Sequence, residues 1–325
     1  MFPHPTLRLS DKWLWDFWPA QDGSDYHLFY LQASRALRDP HLRHWNVSIG
    51  HAVSKDLLHW ETLPDVLEPG YADRTFGGRH EYTTWTGSTI QHEGLWYLFY
   101  TCSYKEEKGL IQRISLATSS DLIHWEKHPR NPLFGADHNH YEQLDLNMWH
   151  DEAWRDPWVF KHPETGEFHA LITARANKGP ARSRGVIGHA TSKNLIDWEV
   201  LPPLTKPMTF ATMECTQLVK LQGRYYLLFS VPPREFAGSN LTGTFYMVAD
   251  DPLGPFSPPQ VLWADPVGQL YAGKIIKGPE GRCYFMAWRN LAQDGTFHGD
   301  VCEALPITVD EQGNLLVYPP DMLYT

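Results

Sequence analysis

Apolar residues along this chain gather in short runs, each bounded by Gly, Pro, Asp or Asn. Residues 26–30, 95–100, 168–172, 225–229 and 283–288 are aromatic and branched. Each is followed by a second run, at 49–53, 114–118, 186–190, 244–248 and 315–318. Runs of this length and make-up predict strands rather than helices, and sustained i, i+3, i+4 spacing is hard to find. Between the runs one element repeats. Ser54-Lys55-Asp56-Leu57-Leu58-His59-Trp60-Glu61 returns as Ser119-Ser120-Asp121-Leu122-Ile123-His124-Trp125-Glu126 and as Ser192-Lys193-Asn194-Leu195-Ile196-Asp197-Trp198-Glu199. A decayed copy follows at 250–256. The pattern reads as a turn near an outer strand, with Asp bonding its own backbone and Trp packed beneath it.

Five such units, each offering about four strands, predict an all-β, five-bladed β-propeller. Blade starts fall near residues 13, 85, 154, 213 and 270. The Pro-rich pieces at 202–207, 232–233 and 252–259 are too short for interdomain spacers, so residues 1–325 read as one domain. The last strand is expected to close the ring beside a segment near the N-terminus.

Composition narrows the function. Apolar residues make up 42% and charged residues 20%, a globular balance, and the net charge of −10 disfavours nucleic-acid partners. No apolar run is long enough to cross a bilayer, and the N-terminus lacks the basic start and apolar core of a signal peptide, so a cytoplasmic protein is expected. Four cysteines, at 102, 215, 283 and 302, show no metal or C-x-x-C spacing, and neither a metal nor an organic cofactor is implied. Oligomeric state is not legible. The 14 Trp, 15 Tyr and 15 Phe suit strand cores and also sugar faces.

In a propeller the innermost strand of every blade lines one channel, so first-strand residues distant in sequence converge. Three of the five starts carry an acid: Asp16, Asp156 and Glu214, all in aromatic or apolar company. Isolated carboxylates there would be expensive unless paired or used. An Asp before a strand is often a turn former, and Arg155-Asp156 could be a simple ion pair. Three acids at equivalent places of a repeat point instead to glycosyl chemistry, which needs a proton donor and a second carboxylate across the anomeric carbon.

The blocks Trp15-Asp16-Phe17-Trp18-Pro19, Trp85-Thr86-Gly87-Ser88, Arg155-Asp156-Pro157 and Glu214-Cys215 resemble those of glycoside hydrolase families 32 and 68, the invertases, fructanases and levansucrases. The resemblance implies a five-bladed propeller acting with retention on β-fructofuranosides, in sucrose or short fructo-oligosaccharides. It casts Asp16 as nucleophile, Glu214 as acid/base and Asp156 as transition-state stabiliser. Trp15, Trp85, Thr86, Arg155 and Tyr271 (in a Tyr-Ala-x-Lys element) become substrate-binding residues. The first block is nearer the family 68 form and Glu214-Cys215 the family 32 form. The chain is expected to lack family 32's C-terminal β-sandwich. Alternatives are an inverting arabinofuranosidase or xylosidase of related families, and a catalytically dead sugar-binding propeller.

Other segments read as walls of the site. Residues 137–152, with His138, His140, His150, Asp145, Asp151 and Glu152, are expected to form a rim loop rather than a metal site. Residues 74–82 could form a second wall. Arg175, Arg182 and Arg184 could contact substrate, although a solvated surface is the plainer reading. Cys215 reads as a small packing residue.

Overall fold

A computed structural model of the chain describes residues 2–70, 75–76 and 79–318. Five antiparallel sheets form the blades. The inner strands are Lys12–Asp22, Arg79–His92, Trp154–Lys161, Glu214–Leu221 and Leu270–Lys277. The second strands are Asp25–Ser34, Leu95–Tyr104, Phe168–Arg175, Arg224–Val231 and Cys283–Leu291. In the first four blades two further strands continue outward in sequence order.

In the first four blades the apolar runs coincide with the second and third strands; in the fifth, 283–288 falls on the second strand and 315–318 on the outermost, Leu315–Val317. Phe168–Arg175 and Thr242–Ala249 are buried along their whole length. A middle strand of a blade has a neighbouring blade against each face, so both sets of alternating side chains are buried. That is why the sequence shows continuous runs here instead of period-two alternation.

The repeated turns hold these sheets at the outside. Asp56 Oδ1 accepts the backbone N–H groups of Leu58 and His59, both at 2.8 Å, and Ser54 Oγ accepts that of Leu57 at 2.9 Å. Asp121 and Asn194 repeat the pattern. Leu57, Leu122 and Leu195 occupy the left-handed region, with φ of 64°, 64° and 65°. That conformation strains a branched residue. Full burial of the three leucines and the side-chain caps offset it. Trp125 donates to Leu122 O at 2.8 Å while its ring meets Phe29 of the preceding blade edge-on at 5.7 Å. Trp198 does the same with Leu195 O and Phe99. The second and third turns therefore also wedge two blades together.

The fifth blade departs from the plan. Its second strand pairs along one edge with the inner strand, and along the other with Phe297–Cys302 at one end and Leu305–Val309 at the other. Pro5–Leu7 then pairs antiparallel with Phe297–Cys302, Pro5 opposite Cys302. The ring closes through the N-terminal segment as expected, but not on the last strand, Leu315–Val317, which instead pairs with Leu305–Val309 at the outside of the blade.

Candidate active site

All five inner strands carry the same irregularity. Register slips by one residue between Trp15 and Phe17, Trp85 and Gly87, Arg155 and Trp158, Glu214 and Gln217, and Tyr271 and Lys274. A bulge bends a strand and re-aims the side chains beside it. The five bulges set two consecutive residues of each blade at one level around the channel. The residues before the bulge are Trp15, Trp85, Arg155, Glu214 and Tyr271. Those at it are Asp16, Thr86, Asp156, Cys215 and Ala272. Four of the second set have positive φ: Asp16 28°, Asp156 56°, Cys215 53° and Ala272 50°.

This phasing corrects one expectation. Asp16 and Asp156 are equivalent, but Glu214 stands one residue earlier in its strand, at the place of Trp15 and Arg155. The true counterpart of the two aspartates is Cys215. Its buried thiol packs as expected, and its backbone N–H does more, donating to Asp156 Oδ2 at 3.1 Å.

Each carboxylate has its own set of donors. Thr86 Oγ1 donates to Asp16 Oδ2 at 2.7 Å, and the Trp288 indole N–H to Asp16 Oδ1 at 3.0 Å. Asp156 Oδ2 accepts Thr173 Oγ1 at 2.9 Å as well as Cys215 N. Glu214 is held at both oxygens, Oε1 by Arg155 Nη2 at 2.5 Å and Oε2 by the Tyr271 hydroxyl at 2.6 Å. Arg155 in turn reaches Asp151 Oδ2 and Gln112 Oε1, each at 3.1 Å.

Burial raises the pKa of Asp16, the Thr86 hydrogen bond opposes the rise, and Glu214 adds to it. Asp156 is also raised by burial, with Arg155 opposing and Glu214 and Asp16 adding. Burial disfavours charge on Arg155, but Glu214, Asp151 and Asp156 outweigh it and hold the guanidinium firmly protonated. Burial and Glu214 keep Tyr271 a phenol. Crowded, buried carboxylates resist all ionising at once, a condition that two-carboxylate chemistry can use.

These groups line a hollow of about 340 Å³, whose walls include Trp15, Asp16, Trp85, Thr86, Arg155, Asp156 and Glu214. A second lobe of about 460 Å³ adjoins it, shares Trp15, Asp16, Arg155 and Glu214, and adds Tyr271, Trp288, Arg43 and Glu235. All eight residues singled out in the sequence thus meet at one mouth. Trp288, Lys274, Arg43, Thr173 and Gln112 were not foreseen. Lys274 alone carried a signal, as the last residue of the Tyr-Ala-x-Lys element.

The 137–152 loop does rim the site, bringing His150 and Asp151 to the hollow. His138 pairs with Glu152 at 3.1 Å. Among the described residues no group of three or more His, Cys, Asp or Glu is arranged to hold a metal. Arg175 and Arg184 do not reach the hollow. Both pair with buried Glu142, and Arg175 stacks on Trp149 at 3.8 Å, so they anchor the loop from behind. Arg182 donates to Arg234 O. Of the supposed wall at 74–82, residues 74, 77 and 78 lie outside the described residues, while Arg79 and His80 pair with Glu107 and Glu106.

The profile of the Glycosyl hydrolases family 32 N-terminal domain matches residues 19–306. The chain is 26% identical over 322 residues to sucrose-6-phosphate hydrolase of Zymomonas mobilis, covering 91% of this chain and 57% of that protein. It is 27% identical over 305 residues to the extracellular sucrase of the same bacterium, with 78% and 70% covered. The chain therefore spans little more than half the length of the first of these relatives. Inulosucrase from Halalkalicoccus jeotgali bound to kestose has the same fold, with a TM-score of 0.77 over 98% of this chain and 90% of that one at 20% identity.

Proposed function

The chain belongs to glycosyl hydrolase family 32, and we propose that it is a retaining glycoside hydrolase or transglycosylase acting on β-fructofuranosides such as sucrose or short fructo-oligosaccharides. The observation that carries this reading is the meeting of Asp16, Asp156 and Glu214 in one hollow, each fixed by different donors.

Asp16 attacks the anomeric carbon. Thr86 and Trp288 hold both its oxygens, so the carboxylate presents one orientation to the sugar and little motion is left to freeze at the transition state. Glu214 gives a proton to the departing oxygen and takes one from the incoming water or sugar hydroxyl. Arg155 and Tyr271 fix the plane of its carboxyl. Asp156 spends Oδ2 on Thr173 and Cys215, which leaves Oδ1 for sugar hydroxyls and for the oxocarbenium-like charge. Trp15 and Trp85 supply apolar walls. The second lobe has room for the leaving group and for the acceptor that replaces it.

The test is sugar release from sucrose, sucrose 6-phosphate, inulin- and levan-type oligosaccharides and arabinofuranosides, with Asp16→Asn alongside. Fructose release that disappears in the variant is expected. Arabinose release, or silence across the whole panel, would overturn the proposal.

A further inference from the structure

Beneath the carboxylates lies a charge that the reaction just described does not use. Lys274 follows the bulge of the fifth inner strand, and it is 2% exposed. The residues at the same register in the other blades are Trp18, Ser88, Trp158 and Gln217, none of them charged. Its Nζ donates to the backbone carbonyl of Cys215, and no carboxylate lies within ion-pair distance among the described residues. An ammonium taken out of water is costly by several kcal/mol unless nearby charge compensates it. Burial lowers the pKa of Lys274, and Asp16 of blade 1 and Asp156 of blade 3 oppose that from across the channel; the Cys215 thiol of blade 4 also faces it, but burial keeps that thiol neutral. Blade 2 contributes the Thr86 hydroxyl to Asp16. Asp16 in turn feels Glu214, Lys274 and Arg43.

The hydrogen bond has a second effect. Cys215 sits at a positive φ of 53°, the conformation in which its N–H faces Asp156 Oδ2. By holding the Cys215 carbonyl, Lys274 braces that strained bulge from below. We propose that Lys274 is a positioning residue for the carboxylate cluster: its hydrogen bond keeps the Cys215 N–H on Asp156, and its ammonium favours the carboxylate form of Asp16 in a buried hollow.

The inference rests on the fructosyl reading for its meaning, but its test does not. Carbon-13 NMR of protein labelled at the aspartate carboxyl carbons titrates Asp16 and Asp156 in the parent chain, in Lys274→Met and in Lys274→Gln. The loss of a signal in Asp16→Asn assigns that resonance. The Asp16 midpoint is expected to rise by about one pH unit or more in both variants, because both lose the charge. The Asp156 midpoint is expected to rise more in the Met variant, since Gln can still donate to the Cys215 carbonyl. Midpoints that stay in place while the melting temperature falls would overturn the proposal and leave Lys274 a packing residue. Should the Met variant fail to fold, the Gln variant carries the Asp16 readout alone. A shifted midpoint in a protein that releases no sugar would uphold this inference and sink only the proposed activity.

Discussion

Two buried histidine pairs contribute to how this propeller responds to acid. His27 Nδ1 and His51 Nε2 lie 2.8 Å apart, one ring donating and the other accepting, and His51 stacks on Phe29 at 4.4 Å. His169 and His189 form the same pair two blades on, at 2.9 Å. Burial depresses all four pKa values, His51 to about 3 and His189 to about 4. A folded-state pKa below the unfolded value means that the unfolded chain binds the proton more readily. The stability is therefore complete above about pH 6.5 and is lost as pH falls towards the folded values. By about pH 4.5, each deeply depressed histidine has withdrawn roughly 2.5 kcal/mol. Blade 2 shows how to remove the effect, because Tyr97 and Leu116 occupy the register positions of His27 and His51. The double substitution His27→Tyr with His51→Leu copies that solution into blade 1. Urea unfolding of parent and variant at about pH 7.5 and about pH 4.5 gives four free energies. Any packing penalty of the swap enters at both pH values and cancels. The variant should lose at least about 2.5 kcal/mol less on acidification than the parent. Equal losses in the two proteins would refute the reasoning.

Tyr271→Phe removes one of the two donors on Glu214 and should lower kcat roughly 10–100-fold with little change in melting temperature, because hydrogen bonds to charged groups contribute about 1.5–3 kcal/mol. Steady-state kinetics check this, and an unchanged kcat would remove Tyr271 from the machinery. Trp125→Ala empties the wedge between blades 1 and 2 and should cost about 3 kcal/mol in denaturant unfolding, with kcat of the remaining folded protein preserved. Glu142→Ala leaves Arg175 and Arg184 without their shared carboxylate and should destabilise the chain by about 3–5 kcal/mol. Because that pair anchors the loop carrying Asp151, KM should rise as well; a variant of unaltered stability and KM would refute the anchoring role.

The fold was legible because its evidence is local. Asp56, Asp121 and Asn194 bond their own backbones within three residues, so the repeat is visible in one dimension, and the continuous apolar runs report strands buried on both faces. The gathering of the acids was legible for the same reason, since blade starts repeat. Their phasing was not. A bulge is a relation between two strands, and no residue type at Asp16 or Cys215 announces it. Glu214 therefore looked equivalent to the aspartates when it stands one place earlier. Trp288 belongs to a second strand, and its contact with Asp16 spans most of the chain and the seam between the last blade and the first. Arg175 reads as a surface arginine until buried Glu142, more than thirty residues upstream, is seen to claim it.

Closure by Pro5–Leu7 on Phe297–Cys302 also has a bearing on time. The two partners are about 300 residues apart, so at roughly 5–20 residues per second a ribosome needs a quarter of a minute to a minute to deliver the second after the first. Until then blades 1 to 4 can assemble in turn, each on the one before, while the opening segment stays unpaired and blade 1 presents an uncovered flank. Asp16 is synthesised 272 residues before the Trp288 that orients it. A nascent chain can therefore gather Asp16, Asp156 and Glu214 before it can aim the one proposed to attack the sugar, because Trp288 is made after all three.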